Sequence, residues 1–240
     1  MKTVYIVATP IGNLEDITLR ALKVFSQVDF ILTEDTRRTR FLLQHFVSSR
    51  NFSYRAQVFS YHDYNREQRL LRLRQWLRDG ADVALVSEAG SPLVSDPGYK
   101  LVLALLKWQK EDPEIKIEVV PGASAVITAL QLSGLPPDKF FFVGFLPRKQ
   151  KARRDFLKGL PQTTIIAFES PYRLAQTLID IEEVWGESVL VSVCREMTKL
   201  HQEVLRGPLR EVRLKLSQRK IKGEITLVFR IEEGYNEKNG

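Results

Sequence analysis

A single cysteine, Cys194, stands in a chain of 240 residues. No internal disulfide is possible, and the composition fits a reducing compartment. Nor does any apolar run approach the roughly 20 residues that a membrane-spanning helix needs. The opening stretch from Val4 to Ala8 turns at Thr9-Pro10; it is too short for the apolar core of a secretory leader and has the shape of a first strand. These absences point to the cytoplasm and to no membrane partner. Histidine is scarce too. His45, His62 and His201 are isolated in sequence from one another and from Cys194, so no zinc spacing exists and no metal is expected. The G-x-x-x-x-G-K-[ST] phosphate loop, the G-x-G-x-x-G dinucleotide fingerprint and the G-x-S-x-G elbow are all missing. Nucleotide hydrolysis, hydride transfer and zinc chemistry therefore lose ground.

What is present is ordinary for a packed protein: 44% hydrophobic and 27% charged residues. Lys and Arg number 36 against 29 Asp and Glu, a net charge of +7. A basic balance suits a polyanion such as nucleic acid, and equally a basic enzyme with solvated lysines.

No repeat or low-complexity segment interrupts the chain. What recurs is a short apolar run, a Pro/Gly loop, then a helical pattern. Val4–Ala8 leads into Thr9-Pro10-Ile11-Gly12-Asn13, where Asn13 can cap a helix carrying Asp16 in its first turn and Leu19, Leu22 and Phe25 on one face. Phe30–Leu32 leads into Glu34-Asp35-Thr36-Arg37-Arg38, Val83–Val86 into the loop Ser87 to Gly98, and Ile117–Val120 into Pro121-Gly122-Ala123-Ser124 and an apolar helix from Ala125 to Leu132. Strands alternating with helices imply βαβ units, a mainly parallel sheet, and ligands held outside the carboxyl ends of the strands. The second half holds more strands, at Phe140–Val143, Thr164–Phe168, Val189–Val193 and Ile225–Phe229, with Ser170-Pro171 expected to open a helix. The expected division is an α/β domain over 1–119, a second α/β domain with a mixed sheet over 120–235, and a frayed tail over 236–240.

The segment Ser87 to Gly98 is dense in small residues and proline directly after a buried strand. Such a loop lets backbone groups approach a ligand while proline holds its shape. Gly12 and the Pro121–Ser124 turn are weaker alone, but three such loops at neighbouring strand ends would converge on one crevice. Basic residues cluster as Arg37, Arg38 and Arg40, and as Arg148, Lys149, Lys151, Arg153 and Arg154. Both groups lie at loop ends, where phosphate contact is plausible. Arg66, Arg69 and Arg72, spaced by three opposite Leu70, Leu73 and Leu77, read as a solvated helix face.

With those motifs in view, the chain resembles the tetrapyrrole methylase superfamily, and within it the ribosomal RNA small subunit methyltransferase I family. The resemblance runs from about Val4 to Phe229. It is carried by Thr9-Pro10-Ile11-Gly12-Asn13-Leu14, Glu34-Asp35-Thr36-Arg37, Ser60-Tyr61-His62, Ser87 to Gly98, Pro121-Gly122-Ala123-Ser124, Gly144-Phe145-Leu146-Pro147-Arg148, Glu169-Ser170-Pro171-Tyr172-Arg173 and Arg195-Glu196-Met197-Thr198-Lys199. One departure stands in the longest motif, where Glu88 replaces the family's usual aspartate.

The resemblance implies two α/β domains with a cofactor cleft between them, a homodimer, and S-adenosyl-L-methionine as methyl donor. It implies 2′-O-methylation of a cytidine in the decoding region of 16S ribosomal RNA, within the small ribosomal subunit. Its cofactor residues would be Pro10, Ile11, Gly12, Glu88, Ala89, Gly90, Ser91, Val94, Ser95, Ser124, Ala125 and Phe168. Arg37, Arg38, Arg40, Arg148, Lys149 and Lys151 would meet the RNA. Methyl transfer from a sulfonium already has a good leaving group, so the protein's task is to align the hydroxyl. A ribose hydroxyl gains from a base or polarising neighbour, for which His62, Glu34, Glu169 and Lys199 are candidates; each could equally make a structural hydrogen bond or ion pair. Two other readings stay open, a methyltransferase of a small tetrapyrrole and a non-catalytic basic RNA-binding protein of the ribosome.

Overall fold

The computed structural model describes residues 2–49 and 52–231. The expected tail over 236–240 lies outside the described residues. The chain divides into two compact units, Met1–Ser124 and Ala125–Gly240.

Five parallel strands form the first unit's sheet: β1 (Lys2–Val7), β2 (Phe30–Thr33), β3 (Gln57–Ser60), β4 (Val83–Val86) and β5 (Ile115–Val120), in the order β3-β2-β4-β1-β5. Every residue of β4 is buried. Its side chains alternate between two cores, Val83 and Leu85 in one, Ala84 and Val86 in the other, as a strand covered on both faces must. Helices α1 (Leu19–Gln27) and α2 (Thr36–Ser49) cover the Ala84 face through Leu22, Phe25, Leu43 and Phe46. Helices α3 (Arg66–Arg78) and α4 (Tyr99–Glu111) cover the other through Leu73, Trp76, Leu101 and Leu105. The helix after β4 thus lies on the opposite face from those after its neighbours β1 and β2. Such reversals open crevices at the strands' carboxyl ends. The register keeps those ends level, pairing Val7 with Val86 and with Val120, and Thr33 with Ser60.

Two local expectations change. Asn13 caps only a single 3-10 turn, Leu14–Asp16, by accepting from the Glu15 amide. Helix α1 begins later, where Thr18 accepts from the Ala21 amide, and Leu19 is exposed rather than packed with Leu22 and Phe25. Threonine wins because its hydroxyl lies three residues before the amide it satisfies, the N-cap spacing.

The second unit opens with α5 (Ala125–Ser133). Its mixed sheet runs β6 (Phe140–Phe145), β7 (Thr164–Glu169), β10 (Ile225–Ile231), β8 (Val189–Arg195), β9 (Glu203–Pro208), with only β6 and β7 parallel. Helices α6 (Gln150–Lys158), α7 (Leu174–Trp185) and α8 (Leu209–Ser217) bury Leu157, Leu178 and Val212 on one face. Helix α5 buries Val126, Ala129 and Leu130 against Ile166, Cys194 and Val228 on the other. Helix α7 starts at Leu174, not at Pro171. Ser170 caps a preceding turn instead, its hydroxyl accepting from the Tyr172 amide and its carbonyl from the amides of Arg173 and Leu174.

Candidate active site

The loops after β1, β4 and β5 lock into one another at the carboxyl edge of the first sheet. Thr9 and Gly90 exchange backbone hydrogen bonds in both directions, at 2.9 and 3.0 Å. The Ser87 hydroxyl donates to the Gly90 carbonyl at 2.6 Å, and the Ser91 hydroxyl to the Ala123 carbonyl at 3.3 Å. A Cβ on Gly122 would stand 3.0 Å from the Ala8 Cβ. At Gly90 (φ +85°) a Cβ would meet the Ile11 side chain at 3.2 Å and the Ala123 carbonyl at 3.6 Å. The glycine is needed first for that close loop contact and its left-handed backbone. What faces outward is small: Gly12, Ala89 and Gly122 are exposed, while Pro10 and Ile11 are buried beneath them.

The Ser87–Gly98 loop is also strained. Leu93 (φ 74°) and Ser95 (φ 62°) both sit in the left-handed region that non-glycine residues avoid. Leu93 persists there because its side chain reaches the core under Gly98, where any Cβ would lie 2.5 Å from it. Val94 and Ser95 are carried outward at the loop's crest.

After β2 and β3 the edge is polar. Asp35 caps α2, accepting from the amides of Arg37 at 2.8 Å and Arg38 at 3.4 Å. Those hydrogen bonds, the Arg37 amide's first, hold its carboxyl below the usual range. Arg38 reaches across to Glu88 at 2.8 Å, so Glu88 holds an arginine of the neighbouring loop. Arg40 donates to the Val58 carbonyl, and Arg37 points into solvent. Glu34 is exposed. Asp96 was not singled out in the sequence. Burial, with Glu34 and then Glu88 nearby, pushes its carboxyl up to about 6.

His62 is half-buried. Its amide donates to Asn65 Oδ1 at 3.0 Å, which turns the Asn65 amide nitrogen toward the Ser60 carbonyl and His62 Nε2. Nε2 facing an N–H donor must accept, which assigns the ring proton to Nδ1. Nδ1 is buried with no partner, as is the hydroxyl of neighbouring Tyr61. The α3 arginines are less solvated than their spacing suggested: Arg69 donates to the Ser60 carbonyl and lies 4.9 Å from the Phe59 ring centroid.

Ser124 ends the first unit, and Ala125 opens α5 in the second. Phe168, at the end of β7, packs edge-on against Phe142 and Phe145. Glu169 is buried, and its carboxylate takes the Ser170 amide, the Thr177 hydroxyl and Arg173. Lys199 Nζ bridges Glu196 at 2.9 Å and Glu224 at 2.8 Å. Desolvation works to lower its pKa, but the two carboxylates outweigh it, and the shift is upward. Arg148, Lys149 and Lys151 are exposed. The rest of their run is not available to a phosphate. Arg153 is buried and paired with Asp180, and Arg154 joins Asp180 and Glu183. Arg153 and Leu157 lie one turn apart on the inner face of α6, a spacing visible in the sequence.

A parallel sheet with interlocked small-residue loops at one end and charged groups beside them is the architecture of an α/β enzyme. The tetrapyrrole (corrin/porphyrin) methylase family model matches residues 3–213. The chain is 46% identical over 231 residues to the ribosomal RNA small subunit methyltransferase I of Thermotoga maritima, covering 95% of this chain and 98% of the relative. To the protein of that name from Halalkalibacterium halodurans it is 45% identical over 238 residues, covering 98% of this chain and 77% of the relative. Among solved structures, uroporphyrin-III-C-methyltransferase from Thermus thermophilus matches with a TM-score of 0.64 at 20% identity, over 95% of this chain and 94% of that one. A structure of uroporphyrin-III C-methyltransferase from the same organism, complexed with S-adenyl homocysteine, matches at 0.62 and 18%, over 95% and 97%. The chain thus belongs to the tetrapyrrole methylase family and, within it, to the ribosomal RNA small subunit methyltransferase I family.

Proposed function

We propose that this chain transfers a methyl group from S-adenosyl-L-methionine to the 2′-hydroxyl of a cytidine in the decoding region of 16S ribosomal RNA. The observation that carries the reading is the division of the first unit's carboxyl edge. Small, interlocked loops follow β4, β1 and β5, which are neighbours in the sheet, and charged side chains follow β2 and β3. The first half fits the cofactor: exposed Gly12, Ala89 and Gly122 present backbone without side chains, and Ser91 and Ser124 add hydroxyls beside it. S-adenosylmethionine supplies an electrophilic methyl group on a sulfonium. Everything else falls to the protein. Arg37, Arg38 and Arg40 meet phosphate, with Arg148, Lys149 and Lys151 as further contacts from the second unit. Glu88 orients Arg38. The His62 Nδ1–H is a donor for a substrate oxygen. Asp96 is poised near neutral pH to take the hydroxyl proton. Glu169 and Lys199 serve the fold, since both carboxylate oxygens of Glu169 are engaged and Lys199 is held between Glu196 and Glu224.

The substrate is the small ribosomal subunit and the setting the cytoplasm. No helix among the described residues is long and apolar enough to cross a membrane. The protein works as a homodimer. Tyr99, Leu103 and Leu106 support this, an exposed apolar stripe with helical spacing on α4. The test is transfer of labelled methyl from S-adenosylmethionine to isolated small subunits, followed by alkaline hydrolysis. Label in one alkali-resistant dinucleotide is the expected result. Label on a base, or on a tetrapyrrole and not on RNA, overturns the reading.

A further inference from the structure

The structure leaves two large aromatic side chains in solvent on the polar half of the first unit's edge. Tyr64, in the turn after β3, is fully exposed, and Phe41, in the second turn of α2, is 70% exposed. Neither belongs to a core. Helix α2 buries Thr39, Leu43 and Phe46, which turns Phe41 to the outer side together with Arg37 one helical turn before it. Scattered single exposed aromatics are common and mean little. Here both belong to the connections that follow neighbouring strands, Phe41 in α2 after β2 and Tyr64 in the turn after β3, and those strands end level, Thr33 against Ser60. Arg37 and Arg40 both precede Phe41 on α2, one turn and one residue before it, and the Tyr64 ring centroid lies 6.0 Å from that of His62.

We propose that Phe41 and Tyr64 are stacking platforms for unpaired RNA bases, with Arg37 and Arg40 holding the phosphates between them, so that the enzyme takes its target as a splayed single strand. The inference rests on the RNA-methylation reading and deepens it. Unpaired bases stack on aromatic faces, and their backbone then runs past cations. A duplex keeps its bases inside and offers no face to Tyr64. An apolar protein partner would be poorly served by a ring that shares its helix face with Arg37. A nucleotide stacked on Tyr64 lies beside the His62 ring, whose centroid is 6.0 Å from that of Tyr64. The chemistry therefore predicts a target nucleotide that is unpaired, or unpaired on binding.

Both rings are exposed, so their removal should leave folding intact. The experiment measures binding of a single-stranded oligonucleotide carrying the decoding-region sequence, at several salt concentrations, with S-adenosylmethionine affinity measured in parallel. Phe41→Ala and Tyr64→Ala should each weaken RNA binding about tenfold. The salt slope should stay unchanged, because no phosphate contact is lost. Arg37→Ala and Arg40→Ala should each lower the slope by about 0.7. Tyr64→Trp should bind normally, with its fluorescence quenched by the single strand and not by the duplex. Wild-type protein that methylates the RNA while Phe41→Ala/Tyr64→Ala binds it undiminished would overturn the platform alone. Wild-type protein that neither binds nor methylates ribosomal RNA would overturn the functional reading beneath it.

Discussion

In the first unit, the loops beyond the strands leave polar groups without partners; in the second, comparable loops leave almost none. Tyr61 and His62 each carry a buried atom with no hydrogen bond. The other such atom among the described residues, Arg213 Nε, belongs to a guanidinium that still pairs with Glu182. Opposite them stand the closed networks of the second unit: Glu169 with Thr177 and Arg173, Asp180 with Arg153 and Arg154, and Lys199 between two carboxylates. A buried polar group without a partner costs free energy unless something arrives to satisfy it. The contrast sorts residues of similar chemistry by satisfaction; in the function proposed above, the unsatisfied ones serve the reaction and the satisfied ones the fold.

The largest expected effect breaks a closed network. Asp180→Ala strands the buried Arg153 charge and should cost about 3–5 kcal/mol, measured by denaturant unfolding. A loss below about 1 kcal/mol would mean the network is ornamental. Glu169→Gln keeps the shape and removes the charge facing Arg173. Stability should fall by about 1–3 kcal/mol while the methylation rate per folded molecule holds. A large drop in rate at unchanged stability would return Glu169 to the list of catalytic groups. In the open region the expected pattern reverses. Glu88→Ala should lower methylation about tenfold by freeing Arg38, yet shift stability by no more than about 1 kcal/mol, since the pair is partly exposed. Glu88→Asp should keep activity.

The remaining effect is a pH dependence. The Asp96 carboxyl is raised to about 6 from an ordinary 3.8, so the folded protein holds this proton more tightly than the unfolded chain. Its contribution to stability is therefore complete below about pH 4 and is lost as the pH climbs through 6. Asp96→Asn should track the wild type at low pH and gain relative stability by pH 7, which urea unfolding across that range would show. The methylation rate of the wild type should rise through the same interval, and the variant should lack that limb. Matching profiles for the two proteins would remove Asp96 from the site.

Much of this was legible in the sequence, and what was missed has physical reasons. The buried strands β4 and β1 announce themselves as apolar runs, and the interlocked loops as small residues and proline. Strands β3 and β9, written Gln57–Ser60 and Glu203–Pro208, are edge strands with half-exposed residues, and so carry no such run. The raised carboxyl of Asp96 comes from desolvation, then from Glu34, distant in sequence, and Glu88 of its own loop, a combination that no motif encodes. Arg153 and Arg154 read as part of a basic patch because the charge run is the louder cue; the one-turn spacing of Arg153 and Leu157 marks the inward face, and Asp180, 27 residues from Arg153, is what meets it there.

The central claim is that one sheet edge carries two separable functions, cofactor beyond β1, β4 and β5 and RNA beyond β2 and β3. Calorimetric titration with S-adenosylmethionine tests it most directly. Gly90→Val, checked for retained fold by its unfolding midpoint and backed by the milder Gly90→Ala, should lose cofactor binding by about 100-fold or more, because the strained turn that joins Thr9, Ile11 and Ala123 cannot form. Arg37→Ala/Arg40→Ala should bind the cofactor as the wild type does and lose RNA. Undiminished cofactor binding by a folded Gly90→Val protein, or cofactor affinity lost with the two arginines, would contradict the account.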